Sequence, residues 1–160
     1  MVDFKFLTLP NDIDAIINLL GCDRKDLKTV IFSFFKEFNI QYHDFGEWFD
    51  KIYSECFLIV DVIRRNIVVA FDGSSIAGIL ILKDSPDEKK VCTLVVAQNY
   101  RKMGLATKFF ELSFDILNTL KPHYTVSEDN LPTFEGLNNK FAFICTGIVD
   151  YNGKLEYHFN

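Results

Sequence analysis

The sequence predicts an α/β fold with a mixed, mostly antiparallel central sheet and helices on both faces. Apolar runs rich in Ile and Val alternate with segments whose apolar residues recur every three or four positions, as on one face of a helix. The dipeptides Asp72-Gly73 and Asn152-Gly153 are hairpin signals and predict antiparallel neighbours. The order of elements is strand, helices, antiparallel meander, helix, strand, helix and hairpin, which is typical of a mixed sheet.

The first half of the chain predicts a strand, three helices and a hairpin. Alternating residues at 4–9 predict the strand, and Pro10 then opens a helix that Gly21 ends. The remaining elements are helices at 23–38 and 44–53 and strands at 66–71 and 75–82.

The second half predicts a strand at 91–97 that leads into a helix at 104–120. That helix has two neighbouring lines of apolar residues, so its apolar face is wide enough to pack on a sheet. The remaining elements are a strand at 123–127, a short helix opened by Pro132, and a hairpin of strands at 143–149 and 154–159.

Length and composition favour one domain over residues 1–160. The chain has 160 residues, 49% of them hydrophobic and 24% charged, and shows no internal repeat or flexible linker. Its 17 phenylalanines imply a bulky core or a pocket lined by rings, and composition leaves both open. The net charge of -5 argues against nonspecific binding to nucleic acid.

The cysteines and the N-terminus bear on the cellular compartment. The 4 cysteines lie far apart and three fall in apolar runs, so we expect buried structural thiols at Cys22, Cys56, Cys92 and Cys145. The N-terminus lacks the pattern of a signal peptide, and the apolar runs are too short for a membrane span. We therefore expect a soluble, cytoplasmic protein.

The loop before the helix at 104–120 is the most informative segment. Gly104 tolerates positive φ and lets a ligand approach the backbone, while Ala106 leaves the N–H groups at 104–107 unshielded. Such N–H groups and the positive end of the helix dipole make a site for a phosphate or pyrophosphate. Hydrogen bonds to a charged acceptor, at ~1.5–3 kcal/mol each, outweigh a dipole contribution of ~0.3–1 kcal/mol. Arg101 and Lys102 would add positive charge, and an ordinary strand-to-helix turn is the alternative reading.

This strand, loop and helix resemble the acyl-CoA-binding motif of the GNAT superfamily of N-acetyltransferases. The motif, Arg/Gln-x-x-Gly-x-Gly/Ala, is matched by Arg101, Gly104 and Ala106, and the element order over residues 4–159 is similar as well. The resemblance implies a single acetyltransferase domain that takes acetyl-CoA as cosubstrate and needs no metal. It also implies direct attack by a primary amine, on a small molecule or peptide, in a ternary complex.

The resemblance further implies which residues hold the coenzyme. In the family, the strand before the loop splays from its neighbour and offers backbone groups to the pantetheine arm, a role that falls here to Leu94, Val95 and Val96. The Val96 N–H would polarise the thioester carbonyl and stabilise the tetrahedral oxyanion. Asn130 matches a family asparagine near the pantetheine amides, or else is a helix N-cap before Pro132. The loop positions implied are Arg101, Lys102, Met103, Gly104, Leu105, Ala106 and Thr107.

The usual general acid of the family is missing. Many members have a tyrosine seven residues after that asparagine, and here the position is Leu137. A CoA thiol with a pKa near ~8.5 leaves tolerably without protonation, whereas a lysine-like ammonium at ~10.4 costs about 4.6 kcal/mol to deprotonate near pH 7. A general base that deprotonates the amine is therefore worth more to the rate than a general acid that protonates the leaving thiolate. Glu128 and Asp129 are candidate bases or simply solvated loop carboxylates, and Cys92 is a weak candidate nucleophile, so the catalytic residues stay unknown.

The acceptor and the oligomeric state stay open. Residues 42–53 mix aromatic and acidic side chains, and either shape a pocket for a cationic amine or form an amphipathic helix with a solvated acidic face. His43, His123 and His158 have no ligand spacing, so no metal site is predicted. The protein is expected to be a monomer or a homodimer.

Two other functions compete with acetyl transfer to an amine. A CoA-binding sensor or interaction module without turnover is favoured by Leu137 at the expected acid position. A toxin-like enzyme that acetylates aminoacyl-tRNA fits poorly with the net charge of -5.

Overall fold

The computed structural model describes residues 1–38, 40, 44–58 and 62–160. Within these residues the strands are β1 (Val2–Phe6), β2 (Arg64–Asp72), β3 (Ser75–Asp84), β4 (Lys89–Val96), β5 (His123–Ser127), β6 (Cys145–Tyr151) and β7 (Lys154–Phe159). The α-helices are α1 (Pro10–Leu20), α2 (Leu27–Phe35), α3 (Phe45–Glu55), α4 (Leu105–Leu117) and α5 (Leu131–Phe141). Short 3-10 turns lie at Gln98–Tyr100 and Glu128–Asn130.

The seven strands form one sheet in the order β1-β2-β3-β4-β5-β7-β6. Neighbours are antiparallel throughout, except that β4 and β5 are parallel. The parallel pair follows from α4, which returns the chain to the same end of the sheet before β5 begins. The predicted fold class, a mostly antiparallel mixed sheet between helices, is confirmed.

The sheet separates two apolar cores because successive strand residues point to opposite faces. Val68 and Ala70 of β2 face a core shared with α4 and α5, which includes Phe109 and Phe110. The alternating positions of β2 and β3 face a second core under α1, α2 and α3, formed by residues such as Ile67, Val69, Phe71, Ile79 and Ile81.

The phenylalanines build these cores rather than line a cavity. Phe110 is fully buried, and its ring packs within 6.4 Å, centroid to centroid, of Phe114, Tyr124, Phe141 and Phe143. A second group on the other face consists of Phe32, Phe35, Phe45 and Phe49. Composition left open a bulky core or a pocket lined by rings, and these rings form a bulky core.

Several predicted boundaries are wrong, each for a local reason. The strand at 4–9 ends at Phe6, because the Phe6 N–H donates to Asp12 Oδ2 (2.8 Å) and the next residues turn into α1. The helix at 23–38 is shorter, since the Asp26 N–H donates to Asp23 O in a turn (2.9 Å) before Leu27. The helix at 104–120 stops at Leu117, because Asn118 takes the left-handed conformation at φ 51.

The prediction of buried cysteine thiols is correct in part. Cys22, Cys56 and Cys92 are partly buried, and burial raises the pKa of each thiol, to about 12 for Cys56. Cys145 is exposed, contrary to the prediction, because it opens the edge strand β6.

Gly78 is required by close packing between β3 and β4. A Cβ atom built on Gly78 would lie 2.7 Å from Val95 O and 2.9 Å from Phe109 Cε2. We expect Gly78→Ala to lower the free energy of unfolding by about 1–3 kcal/mol, because backbone and a buried ring must both shift. Urea unfolding measures this change. Gly46→Ala is the control, since its Cβ would meet only Phe32 Cζ at 3.7 Å; an equal loss in both variants would contradict the packing argument.

The turn between β3 and β4 is tied to β5 through Glu88. Lys83 Nζ donates to Glu88 Oε2 (2.8 Å), and His123 Nδ1 lies 3.0 Å from Glu88 Oε1. Burial by itself raises the pKa of the Glu88 carboxyl, but the hydrogen bonds from Lys83 and His123 outweigh it and hold the pKa at about 2. These contacts fasten β5 beside β4 at one end of the sheet.

The lowered pKa predicts a pH-dependent contribution to stability. A carboxyl whose pKa is lower in the folded state stabilises the fold above its ordinary pKa, and this stabilisation is lost as the pH falls through the folded value. The melting temperature of Glu88→Gln should therefore lie below wild type at pH 6, with the gap closing between about pH 4.5 and 2. Calorimetric scans at several pH values test this, and a gap that stays constant down to pH 2 would contradict it.

Candidate functional site

An opening between β4 and β5 is the most distinctive feature of the sheet. The two strands pair only at Lys90 with His123 and Val91 with Tyr124. Beyond those pairs, β4 continues along β3 as far as Val96, whereas β5 continues along β7. The register between β3 and β4 shifts at Cys92, which has no partner residue on β3, and such a bulge bends a strand away from its neighbour. The strands therefore diverge toward their carboxyl ends.

Backbone groups of β4 point into this opening. The Ala97 N–H donates to Ala77 O (2.9 Å), so these opposed residues form a hydrogen-bonded pair of the β3–β4 ladder. Hydrogen-bonded pairs alternate with pairs that make no such bonds, so the N–H and C=O of Val96 and Leu94 face away from β3. Those groups face the β5 side, whereas the Val95 backbone belongs to the ladder. Of the three predicted strand residues, Val96 and Leu94 thus present backbone groups to the opening, and Val95 does not.

The loop after β4 exposes the N-terminus of α4. Gly104 precedes the helix at φ 79, and Lys102 also takes a positive φ of 61. The first helical bond is donated by the Lys108 N–H to Gly104 O, so the N–H groups of the preceding helical residues have no partner inside the helix. No side chain of the described residues caps this helix. A Cβ on Gly104 would meet nothing within 4 Å, so the space beside this residue is open.

Arg101 joins this helix terminus to the opening. Its Nε donates to Val96 O (3.1 Å), the carbonyl that faces away from β3. The guanidinium carbon also lies 5.9 Å from the centre of the Phe38 ring. Arg101, Lys102, Met103 and Gly104 are exposed, while Leu105 anchors the helix in the core. The predicted loop residues 101–104 therefore form one accessible surface beside the end of β4, whereas the Leu105 side chain is buried.

The residues after β5 lie across the opening. Asn130 is the N-cap residue of α5, as the capping reading predicts, but its side chain makes no cap hydrogen bond. Its Nδ2 instead donates to Ser127 Oγ (2.9 Å). Glu128 and Asp129, the candidate bases, lie in the exposed 3-10 turn between them.

No tyrosine on α5 replaces the usual acid. Leu137 is buried in the core beneath α4. Tyr124 lies on the same face, with its hydroxyl donating to Asn138 Oδ1, and burial raises the pKa of its phenol. Because this hydroxyl is directed into the core, it does not face the α1–α3 side of the sheet. The pKa of the Cys92 thiol is also raised by burial, which disfavours a thiolate nucleophile.

The face of β5 and β7 opposite α4 is polar, a feature that the sequence reasoning missed. Tyr124 and Val126 of β5 face the α4 core, so the intervening residues point to the other side. On β7 the same alternation places polar residues beside them, because Thr125 pairs with His158 and Ser127 with Glu156. The signal was present in both strand sequences as alternation of polar and apolar residues. The side chains on this polar face are His123, Thr125, Ser127, Glu156 and His158.

The α3 segment matches the amphipathic reading. Phe45, Phe49 and Ile52 are buried, whereas Glu47 and Asp50 are exposed and Asp50 Oδ1 binds Lys28 Nζ (2.9 Å). These acids form a solvated face. Tyr42 and His43, which belonged to the predicted segment, lie outside the described residues.

Taken together, the sheet order, the opening and the helix terminus define the fold of the GNAT acetyltransferases. The resemblance inferred from the loop motif is confirmed at the level of the fold. A similar solved structure is a putative GNAT-family acetyltransferase from Desulfovibrio desulfuricans, with a TM-score of 0.67 and 11% identity, covering 99% of this chain and 97% of that one. The ribosomal-protein-S18-alanine N-acetyltransferase of Escherichia coli matches with a TM-score of 0.61 and 12% identity over 99% and 92%.

One similar structure contains a coenzyme. A putative streptothricin acetyltransferase from Bacillus anthracis, in complex with acetyl coenzyme A, matches with a TM-score of 0.52 and 15% identity, covering 59% of this chain and 61% of that one. Neither a protein-family model nor a curated protein matches the sequence.

Two further properties concern the described part of the chain. No helix within it is long and apolar enough to cross a membrane. It also contains no group of three or more His, Cys, Asp or Glu side chains placed to hold a metal ion.

Proposed function

We propose that this chain is a single-domain N-acetyltransferase, which transfers the acetyl group of acetyl-CoA to a primary amine by direct attack in a ternary complex. The observation that carries the proposal is the juxtaposition of two backbone sites. The Val96 N–H faces the opening between β4 and β5, and the uncapped N-terminus of α4 follows the same strand after the loop at 97–104. A ligand that carries both a thioester arm and a diphosphate requires both of these backbone sites.

The coenzyme is held mainly by backbone groups in this proposal. The N–H groups at 104–107 bind the diphosphate, and Arg101 and Lys102 neutralise its charge. Leu94 and Val96 offer their free N–H and C=O groups to the pantetheine amides, with Asn130 on the opposite side of the opening. Three charge-assisted bonds at about 1.5–3 kcal/mol each make the loop the larger contribution to affinity.

The chemistry then requires two things of the protein. The Val96 N–H donates to the thioester oxygen as it becomes an oxyanion, which is worth roughly 10²–10³-fold in rate. The amine must lose a proton before it attacks, at a cost of about 4.6 kcal/mol for a lysine-like amine near pH 7. The thiolate is a tolerable leaving group, so the absence of a tyrosine at Leu137 is compatible with turnover.

The proposal is tested by incubating the purified chain with acetyl-CoA and spermidine, lysine or a peptide with an N-terminal alanine. We expect amine-dependent release of free thiol and an acetylated product with at least one of them. Acetyl-CoA should also raise the melting temperature by mass action. If acetyl-CoA fails to bind at all, the proposal is wrong.

The second candidate is a CoA-binding sensor or interaction module, which the buried Leu137 at the usual acid position favours. It gives a different result in the same assay. Acetyl-CoA would raise the melting temperature, but no amine would yield an acetylated product.

A further inference from the structure

A line of titratable side chains crosses the polar face of the sheet. His123 Nδ1 lies 3.0 Å from Glu88 Oε1, and His123 Nε2 lies 3.1 Å from His158 Nδ1. His158 Nε2 in turn lies 3.6 Å from Glu156 Oε1. The two imidazole rings stack with centroids 5.2 Å apart. Residues distant in the sequence are thus brought together by the register of β5 and β7.

The two ends of this line lie in different places. Glu156 pairs with Ser127 at the carboxyl end of β5, on the border of the opening. At the other end, Glu88 and His123 line a solvent-open pocket of about 450 Å³. The line therefore extends from the opening toward the opposite end of the sheet.

The hydrogen bonds determine where the imidazole hydrogens lie. Glu88 is ionised and can only accept, so the hydrogen of its bond with His123 sits on Nδ1. In the neutral ring, His123 Nε2 is then an acceptor, and the bond to His158 requires the hydrogen on His158 Nδ1. This leaves a lone pair on His158 Nε2, and that atom is buried without a hydrogen-bond partner among the described residues. The arrangement creates a base directed toward Glu156.

We propose that Glu156 and His158 accept the proton of the incoming amine, with His123 and Glu88 as positioning residues. This inference rests on the proposed function. An N–H bond of the ammonium breaks, its electron pair stays on nitrogen, and the proton passes through the Glu156 carboxylate to His158 Nε2. The imidazolium is stabilised by the neutral His123 and the ionised Glu88, and it loses the proton to water after the product leaves. The 3.6 Å separation between Glu156 Oε1 and His158 Nε2 must close to about 3 Å for the transfer.

Other charged groups surround this line. Lys83 and Lys90 lie beside Glu88, and the pocket at that end also contains Asp87, Lys89 and Lys121. Cys92 and Arg65 lie nearby on β4 and β2. The cations keep Glu88 ionised, which preserves the hydrogen arrangement across the pH range of the reaction.

The hydrogen arrangement is tested without any substrate. Long-range proton–nitrogen NMR spectra of the histidine-labelled full chain at pH 8 report the tautomer of each ring. We expect His123 and His158 both to carry the hydrogen on Nδ1. The signals of each ring are assigned from the spectra of His123→Gln and His158→Gln. Hydrogen on His158 Nε2 would overturn the proposal, whatever the turnover assay gives.

The proton transfer is tested by kinetics with the amine that wild type acetylates. At pH 7, Glu156→Gln and His158→Gln should lower kcat by about 10²–10⁴-fold with unchanged affinity for acetyl-CoA. The loss should shrink toward pH 10, because an amine with a pKa near ~10.4 then supplies its own neutral form. Glu111→Gln, an exposed carboxylate on α4 that pairs with Lys140, is the matched control and should keep kcat within about twofold.

The outcomes separate the two proposals. Retained kcat in both variants, or a loss that is equal at every pH, would overturn the role of Glu156 and His158 while leaving acetyl transfer intact. If wild type acetylates no amine, the proposed function fails, and the NMR tautomers still decide whether the line holds a base.

Discussion

Replacing Gly104 with valine is expected to weaken acetyl-CoA binding by about 100-fold, or ~2.7 kcal/mol. Gly104 takes φ 79, a conformation that a β-branched residue adopts only with strain of ~1–2 kcal/mol. The open space over the residue, where a Cβ meets nothing within 4 Å, is also the space that a diphosphate must enter. The valine therefore lowers the affinity for acetyl-CoA in two ways, because it shields the N–H groups and shifts the loop. Isothermal titration calorimetry with acetyl-CoA measures the change.

Gly21→Val is the matched control for strain alone. Gly21 takes φ 61 at the end of α1, and a Cβ there also meets nothing within 4 Å. Both variants should lose similar amounts of stability, whereas only Gly104→Val should lose affinity. Equal affinity in the two folded variants would show that the α4 terminus does not hold the coenzyme.

The fold could be predicted because its signals are local. Alternation, hairpin dipeptides and the apolar spacing of α4 each depend on a few consecutive residues. The same holds for the loop, where a glycine after a strand and before a helix already suggests positive φ, as found at Gly104. The boundary errors arose where a single side chain or backbone conformation ends an element, as at Asp12 and Asn118.

The polar face of the sheet could not be predicted in the same way. His123 and His158 are 35 residues apart, and only the pairing of Thr125 with His158 brings His123 Nε2 within 3.1 Å of His158 Nδ1. Register between distant strands depends on the packing of the whole sheet, so the spacing of these histidines along the chain does not indicate their contact. The bulge at Cys92, which directs β4 away from β5, is likewise a property of paired strands.

Removing the Val96 N–H is expected to lower kcat by about 10²–10³-fold, with a much smaller effect on acetyl-CoA affinity. The hydrogen faces the opening and takes no part in the β3–β4 ladder, since the hydrogen-bonded pair is Ala97 with Ala77. Val96→Pro is therefore tolerated better than proline at a ladder position, and the extended Val95 before it suits a following proline. Single-turnover kinetics with bound acetyl-CoA measures the chemical step.

A backbone ester at Val96 removes the same hydrogen without adding a ring. Its control is an ester at Ala97, which deletes a ladder bond to Ala77 and should cost about 0.5–1.5 kcal/mol of stability while leaving kcat of the folded protein unchanged. A selective loss of kcat at Val96 means that the donor acts on charge that exists only in the transition state. If the ester at Val96 keeps full kcat, the oxyanion is stabilised elsewhere, and the opening serves binding alone.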